Sequence, residues 1–156
     1  MPNITIDLVQ ESDLEPLSEI NATIYPNFWT TQTSLALFEH FYRTKPDLFL
    51  CAHVDGKVVG AVMSNVKPWW DGPRLTDTEI FVSKDYQKHG IAKLLLTKHL
   101  ELAQQIYHAV GLEAITYEDE TGFPYSWYEK LGFDQDPEVI FIRGKIATAL
   151  QELKEK

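Results

Sequence analysis

Phe81-Val82-Ser83-Lys84-Asp85-Tyr86-Gln87-Lys88-His89-Gly90-Ile91-Ala92 is the stretch that decides how this chain folds. Phe81 and Val82 close a run that predicts a strand over residues 75–82, and a polar turn follows. A long helix then opens at Gly90, with Ile91 and Ala92 behind it. Backbone N–H groups at a helix start have no partner inside the helix and point outward with the positive end of its dipole. A phosphate or pyrophosphate fits there. Gly90, which has no Cβ, lets such a group approach the backbone.

Downstream of the turn, Ile91, Leu95, Leu102, Ile106 and Val110 mark an apolar helical stripe, with Lys93, Thr97, Glu101, Gln104 and His108 opposite. Gly111 is the expected cap of that helix. Residues 112–117 predict a strand, 125–131 a short helix ended by Gly132, and 139–143 a last strand. Ile146, Leu150 and Leu153 suggest an extra amphipathic helix within 144–156. Upstream, Ile4-Thr5-Ile6-Asp7-Leu8 alternates with period two and reads as an opening strand. Asp13 is the expected cap of a first helix, with Pro16 inside the first turn. A second helix opens near Thr31 or Thr33 and runs to the break at Pro46. Residues 48–54 and 57–66 are apolar, β-branched runs around Asp55-Gly56, the strongest short hairpin signal available. Residues 68–73 form a loop holding Trp69 and Trp70. This order predicts a mixed α/β sheet. No repeat, low-complexity tract or linker interrupts it, so residues 1–156 read as one domain.

The chain has 156 residues, 44% of them hydrophobic and 24% charged, which excludes disorder and collagen-like repeats. At this length no disulfide or metal staple is needed to hold a core. Net charge is −9, which argues against nucleic acid or an anionic membrane as partner, because phosphate binding needs clustered positive charge. The single cysteine, Cys51, lies in a predicted buried strand with no basic partner adjoining it, and it forms no intrachain disulfide. Met1-Pro2-Asn3-Ile4-Thr5 lacks the pattern of a signal peptide, and no apolar run approaches the ~20 residues of a membrane helix. A cytoplasmic protein is the expectation.

Most catalytic patterns are absent: there is no GxxxxGK[ST] loop, HExxH, GxSxG or paired CxxC. The five histidines are scattered with no carboxylate at metal-ligand spacing, so no metal is expected. His99 is expected on a helix flank in a structural or solvated role.

Gln87-Lys88-His89-Gly90-Ile91-Ala92 resembles the acetyl-CoA loop of the GNAT superfamily of N-acetyltransferases, Q/R-x-x-G-x-G/A, in its usual place after a strand ending in Val82. Trp127-Tyr128-Glu129-Lys130-Leu131-Gly132-Phe133 resembles the family's second signature, a tyrosine four residues before Gly-Phe. The order of elements matches to about Arg143. Three positions depart from the pattern. Ala92 stands for the commoner glycine, Thr121 for an asparagine that often precedes the second helix, and Asp134-Gln135-Asp136-Pro137 is a short connection.

The resemblance implies a mixed, mostly antiparallel twisted sheet, flanked by helices and splayed around a central cofactor cleft between strands 75–82 and 112–117. It implies acetyl-CoA as acyl donor, its pantetheine paired with the backbone at Phe81 and Val82 much as an added strand would be. The pyrophosphate would rest on the amides of Gln87, Lys88, His89, Gly90, Ile91 and Ala92, and Thr121 would lie near the cofactor arm.

An alkyl amine has a pKa near ~10 and must lose a proton before attacking a thioester, which a carboxylate can assist. Glu79 lies where related enzymes place such an acid, with Asp77 in reserve. The Val82 amide is the expected donor to the thioester oxygen. Tyr128 would hydrogen-bond the departing thiolate. Asp71, Asp77 and Glu79 on one side, and Glu118, Asp119 and Glu120 on the other, would make the cleft negative. Trp69 and Trp70 would supply indole faces for an ammonium group. These features point to an N-acetyltransferase acting on a small cationic amine by direct attack in a ternary complex. A non-catalytic acyl-CoA-binding regulatory module is the competing reading. No nucleic-acid or membrane partner is expected, and a homodimer is compatible with the extra helix and strand edges.

Overall fold

The structure, a computed structural model, describes residues 2–155. The chain divides into two compact units, the first ending at Ile115 and the second beginning at Thr116.

The first unit is built on a sheet of five strands in spatial order β1-β2-β3-β4-β5: β1 (Ile4–Leu8), β2 (Leu50–Val54), β3 (Lys57–Lys67), β4 (Arg74–Val82) and β5 (Gly111–Leu112). The first four pair antiparallel and β5 joins β4 in parallel. Helices α1 (Leu14–Ile24) and α2 (Thr31–Thr44) lie between β1 and β2 in sequence, and α3 (Ile91–Tyr107) between β4 and β5. The β2–β3 hairpin turns on Asp55 (φ 50°) and Gly56 (φ 81°), two successive positive φ values as a two-residue turn of matching twist requires.

Alternation along the strands splits the core. Cys51, Ala61, Met63 and Phe81 face α1 and α2, packing on Leu17, Phe38, Phe41 and Phe49. The Phe38 and Phe81 rings stack at 5.6 Å. Leu50, Ala52, Val62 and Val82 face the other way, onto Ile91 and Leu95 of α3. α2 opens as expected from threonine chemistry: Thr30 accepts from the Thr33 amide, and Thr33 returns the bond to Thr30.

Four expectations change in this unit. Asp13 does not cap α1; its carboxylate accepts the Gln10 N–H at 2.8 Å and closes the short turn before the helix. The buried stripe of α3 is Ile91, Leu95, Leu96, His99 and Ala103, while Ile106 and Val110 are exposed. That helix ends on His108 in the left-handed region (φ 54°), so Gly111 opens β5 instead of capping α3. The strand expected over 112–117 is cut to Gly111–Leu112, and its pairing with β4 covers only Arg74↔Gly111 and Leu75↔Leu112. The cause sits in β4, where Asp77 and Thr78 oppose the single residue Ser64 of β3. Such a bulge sharpens the local twist and carries the rest of β4 away from a parallel neighbour.

The second unit holds α4 (Tyr125–Lys130) and α5 (Ile146–Glu155). The strand expected over 139–143 does not form. Residues Val139, Ile140, Phe141 and Ile142 are exposed, and no strand among the described residues pairs with them. β-branched composition supplies propensity, but a ladder needs a partner.

Candidate active site

The turn from β4 to α3 forms a cradle of backbone amides. Lys88 (φ 65°) and Gly90 (φ 79°), two residues apart, both take left-handed conformations. The first bond into α3 runs from Leu94 N to Gly90 O, so the amides of Ile91, Ala92 and Lys93 have no carbonyl inside the helix. Alternating conformations of this kind turn successive N–H groups into an anion-binding concavity. A Cβ added at Gly90 would meet nothing within 4 Å, so open space lies over the helix end. Gln87, Lys88 and His89 are exposed on the rim, and Gln87 Nε2 donates to the Val82 carbonyl at 2.9 Å, fastening the loop to β4. These groups fit a pyrophosphate.

The β4 edge beside the cradle is available for pairing. Ser83 N donates to Val59 O at 2.7 Å, and the register sets Val82 opposite Gly60. Because hydrogen-bonded and non-bonded pairs alternate in an antiparallel ladder, the Val82 N–H points away from β3. Beyond Leu75 no strand among the described residues occupies that side. An extended ligand can add there as a strand does.

On the α2 face of the sheet lies a pocket of about 290 Å³, lined by Trp29, Leu37, His40, Phe41, Asn65, Asp77 and Glu79. Asp77 sits at the bulge with φ 51°, and its Oδ2 accepts from Asn65 Nδ2 at 3.1 Å. Glu79, opposite Met63 and two residues on, keeps solvent contact. Burial against the surrounding protein, with a smaller push from the Asp77 charge, raises its pKa to about 6. The bulge thus brings both expected carboxylates to one pocket. Trp29, His40 and Asn65 carry no signal in the sequence pattern. The only hint is position: Trp29 stands directly before the Thr30 cap, where a side chain is held in place by a rigid helix start.

Trp69 and Trp70 lie outside that pocket. Trp70 is 85% exposed, and the Lys67 ammonium covers the Trp69 ring at 4.1 Å from its centroid. Asp71 pairs with Arg74, whose guanidinium lowers its pKa first by hydrogen bonding, so this acid is already neutralised. In the second unit, Tyr128 lies on α4 with its ring edge-on to Trp127 and Phe133 at 5.1 and 6.1 Å. The Phe133 amide donates to the Tyr128 carbonyl, so the Gly132-Phe133 turn fixes the tyrosine's backbone. Thr121 donates through its amide and its hydroxyl to Asp119 Oδ1 in a local turn.

Comparison with known proteins follows the same lines. The model of the acetyltransferase (GNAT) family matches residues 14–133, which takes in the cradle, β4 and α4. The chain belongs to the GNAT acetyltransferase family. No curated protein sequence matches it significantly. Solved structures share the GNAT fold at low identity. An aminoglycoside N-acetyltransferase in complex with CoA superposes with a TM-score of 0.74 at 20% identity, covering 93% of this chain and 97% of that one. A possible acetyltransferase from Clostridium difficile 630 gives 0.74 at 16%, covering 92% and 98%. A protein described as a transcriptional regulator from Bacillus halodurans C-125 gives 0.72 at 17%, covering 91% and 100%. No helix of this GNAT chain is long and apolar enough to cross a membrane among the described residues.

Proposed function

We propose that the protein transfers an acetyl group from acetyl-CoA to the primary amine of a small cationic acceptor, by direct attack in a ternary complex. The observation that carries this reading is the acidic, aromatic-walled pocket containing Glu79, whose pKa is raised to about 6, on the strand that ends at the amide cradle. Acetyl-CoA supplies an activated thioester carbonyl. Gly90, Ile91 and Ala92 would hold its pyrophosphate through backbone amides, with Gln87, Lys88, His89 and Thr121 around its polar groups, and Phe81 and Val82 would receive the pantetheine along the edge of β4.

The chain's own residues then have distinct work. Asp77 and the ring of Trp29 hold the acceptor ammonium. Glu79 takes the proton that leaves the nitrogen, directly or through water. Its raised pKa narrows the gap to an alkylammonium relative to an ordinary carboxylate, which eases the proton transfer. The Val82 N–H donates to the carbonyl oxygen as charge builds there. The Tyr128 hydroxyl donates a hydrogen bond to the sulfur as the thiolate leaves. A phenol cannot fully protonate a thiolate without an uphill cost of about 2 kcal/mol, so its part is stabilisation.

A second reading, a non-catalytic acyl-CoA-binding regulator, is favoured by the fold shared with a protein described as a transcriptional regulator. Release of free thiol from acetyl-CoA across a panel of mono-, di- and polyamines, aminosugars and neutral or anionic acceptors separates the two. Amine-dependent turnover supports the enzyme. CoA binding without thiol release from any acceptor supports the regulator.

A further inference from the structure

We infer that Asp13, Cys51 and His53 form a binding site for one zinc-type divalent cation, separate from the acetyl-transfer pocket. Cys51 and His53 stand two residues apart on β2, so strand alternation turns both side chains to the α1 face of the sheet. Asp13 reaches the same point from the turn before α1. Cys51 Sγ lies 3.6 Å from Asp13 Oδ2 and 3.9 Å from His53 Nδ1, and His53 Nε2 lies 3.3 Å from Asp13 Oδ1. One donor atom from each residue falls within 4.8 Å of the others. Zinc bonds of about 2.0 Å to N or O and about 2.3 Å to S, at tetrahedral angles, separate neighbouring donor atoms by about 3.3–3.8 Å. With one donor atom taken from each residue the separations stay within 4.8 Å, so side-chain rotation that closes about 1 Å brings the three onto one ion.

Charge points the same way. Asp13 is 8% exposed, and Asp7 lies 3.9 Å from His53 Nδ1. Among the ion pairs of the described residues, neither Asp7 nor Asp13 has a lysine or arginine; His53 is their shared partner. A carboxylate taken out of water calls for a firm counter-charge, which a divalent ion supplies. The Asp13 carboxylate is also oriented from behind by the Gln10 amide, the outer contact that metal-binding carboxylates commonly have. A cavity of about 360 Å³, lined in part by Asp13, His53 and Lys57, gives solvent access and room for a water as fourth ligand.

One thiolate, one imidazole and one carboxylate suit a borderline-soft ion and not magnesium or calcium, which take oxygen donors. On binding, the Cys51 S–H bond is replaced by a metal–sulfur bond and the proton passes to water; no electron moves. The sheet order sets β2 two strands from β4, so the ion would tie the β1–β2 edge to α1 and take no part in acetyl transfer.

The test is titration of the chelator-treated full chain with Co²⁺ and with Zn²⁺. One equivalent of Co²⁺ should bring up a thiolate-to-cobalt charge-transfer band in the near ultraviolet, and Zn²⁺ should raise the unfolding temperature. Cys51→Ser should lose the band. His53→Ala, at a side chain only 21% exposed but open to the cavity, should fold and bind Co²⁺ at least tenfold more weakly. No charge-transfer band with the parent chain, parent-like affinity in His53→Ala, or an equal thermal shift with Mg²⁺ would each overturn the site.

Discussion

Asn65 reaches from β3 across the bulge of β4 and donates to Asp77 at 3.1 Å, fixing one carboxylate of the pocket while Glu79 remains beside it. The two acids therefore differ in role by construction. Asp77 is held in place by a neutral donor. Glu79, two residues on, has a raised pKa, chiefly because the surrounding protein strips water from it and to a smaller degree because of the Asp77 charge.

The first prediction is a pH profile. Glu79 must be ionised to accept a proton, so kcat/KM should rise with pH through an acid limb near 6. Glu79→Gln should remove that limb and cut turnover roughly 100-fold at pH 7, within the usual range for a general base. At high pH, where free amine is already abundant, the deficit should shrink. Asp77→Asn removes a charge that raises the Glu79 pKa, so its limb should move to lower pH, with a smaller rate loss. A constant variant-to-parent ratio from pH 6 to 10 would exclude the base role.

At Gly90, an added side chain meets no protein atom within 4 Å but stands where φ is +79°. Gly90→Val should therefore fold, with a backbone penalty of roughly 1–2 kcal/mol. Affinity for CoA, measured by calorimetry, should fall at least tenfold, because the branch enters the space over the helix end. Unchanged affinity in a folded variant removes the cradle from the cofactor site.

Tyr128→Phe keeps the ring that packs on Trp127 and Phe133 and deletes only the hydroxyl. If the hydroxyl acts as sulfur departs, kcat should drop about 10- to 100-fold with KM for acetyl-CoA little changed. An unaltered kcat would make Tyr128 a packing residue.

His99 supplies a stability prediction. Its Nε2 lies 2.7 Å from Ser64 Oγ inside the core, and burial lowers its pKa to about 4. Above pH ~6.5 the imidazole is neutral in both folded and unfolded chains, and its contribution does not vary with pH. As pH falls from ~6.5 towards 4, the unfolded chain takes up a proton that the folded one refuses. Stability should then fall by up to about 3 kcal/mol from this group. Urea unfolding at pH 7 and 4.5 should show a smaller difference in His99→Gln than in the parent. Equal differences would mean that His99 titrates normally.

The parts of the fold legible in the sequence are those fixed by neighbours in the chain. Asp55-Gly56 dictates a hairpin through two positive φ values, and the β4–Gly90–α3 turn is written in consecutive residues. What depends on distant partners was not legible. The run over 139–142 has strand composition but no partner strand. His99 reads as a flank residue because the partners that make its burial tolerable, Ser64 Oγ and the Leu48 backbone, lie 35 and 51 positions away. Cys51 gains His53 on its own strand and Asp13 from 38 residues upstream, a grouping no local spacing rule detects. Trp29 and Asn65 reach the acidic pocket only because α2 and β3 pack beside β4.

Salt dependence tests the nature of the acceptor. Asp77 and Glu79 give the pocket negative charge, and Trp29 gives it an aromatic wall. An ammonium over an indole face gains about 0.5–2 kcal/mol, so Trp29→Ala should raise KM for the amine roughly 2- to 30-fold and leave KM for acetyl-CoA alone. Trp69→Ala and Trp70→Ala measure any share carried by the neighbouring loop, where Lys67 already occupies one ring face. Negative charge also speeds capture of a cation, and salt screens that attraction with a length of about 10 Å at 0.1 M. Between 20 and 500 mM salt, kcat/KM should fall for every cationic acceptor, and more steeply for polyamines than for monoamines. A flat salt profile, or faster turnover of neutral or anionic acceptors, would remove the cationic amine as substrate class.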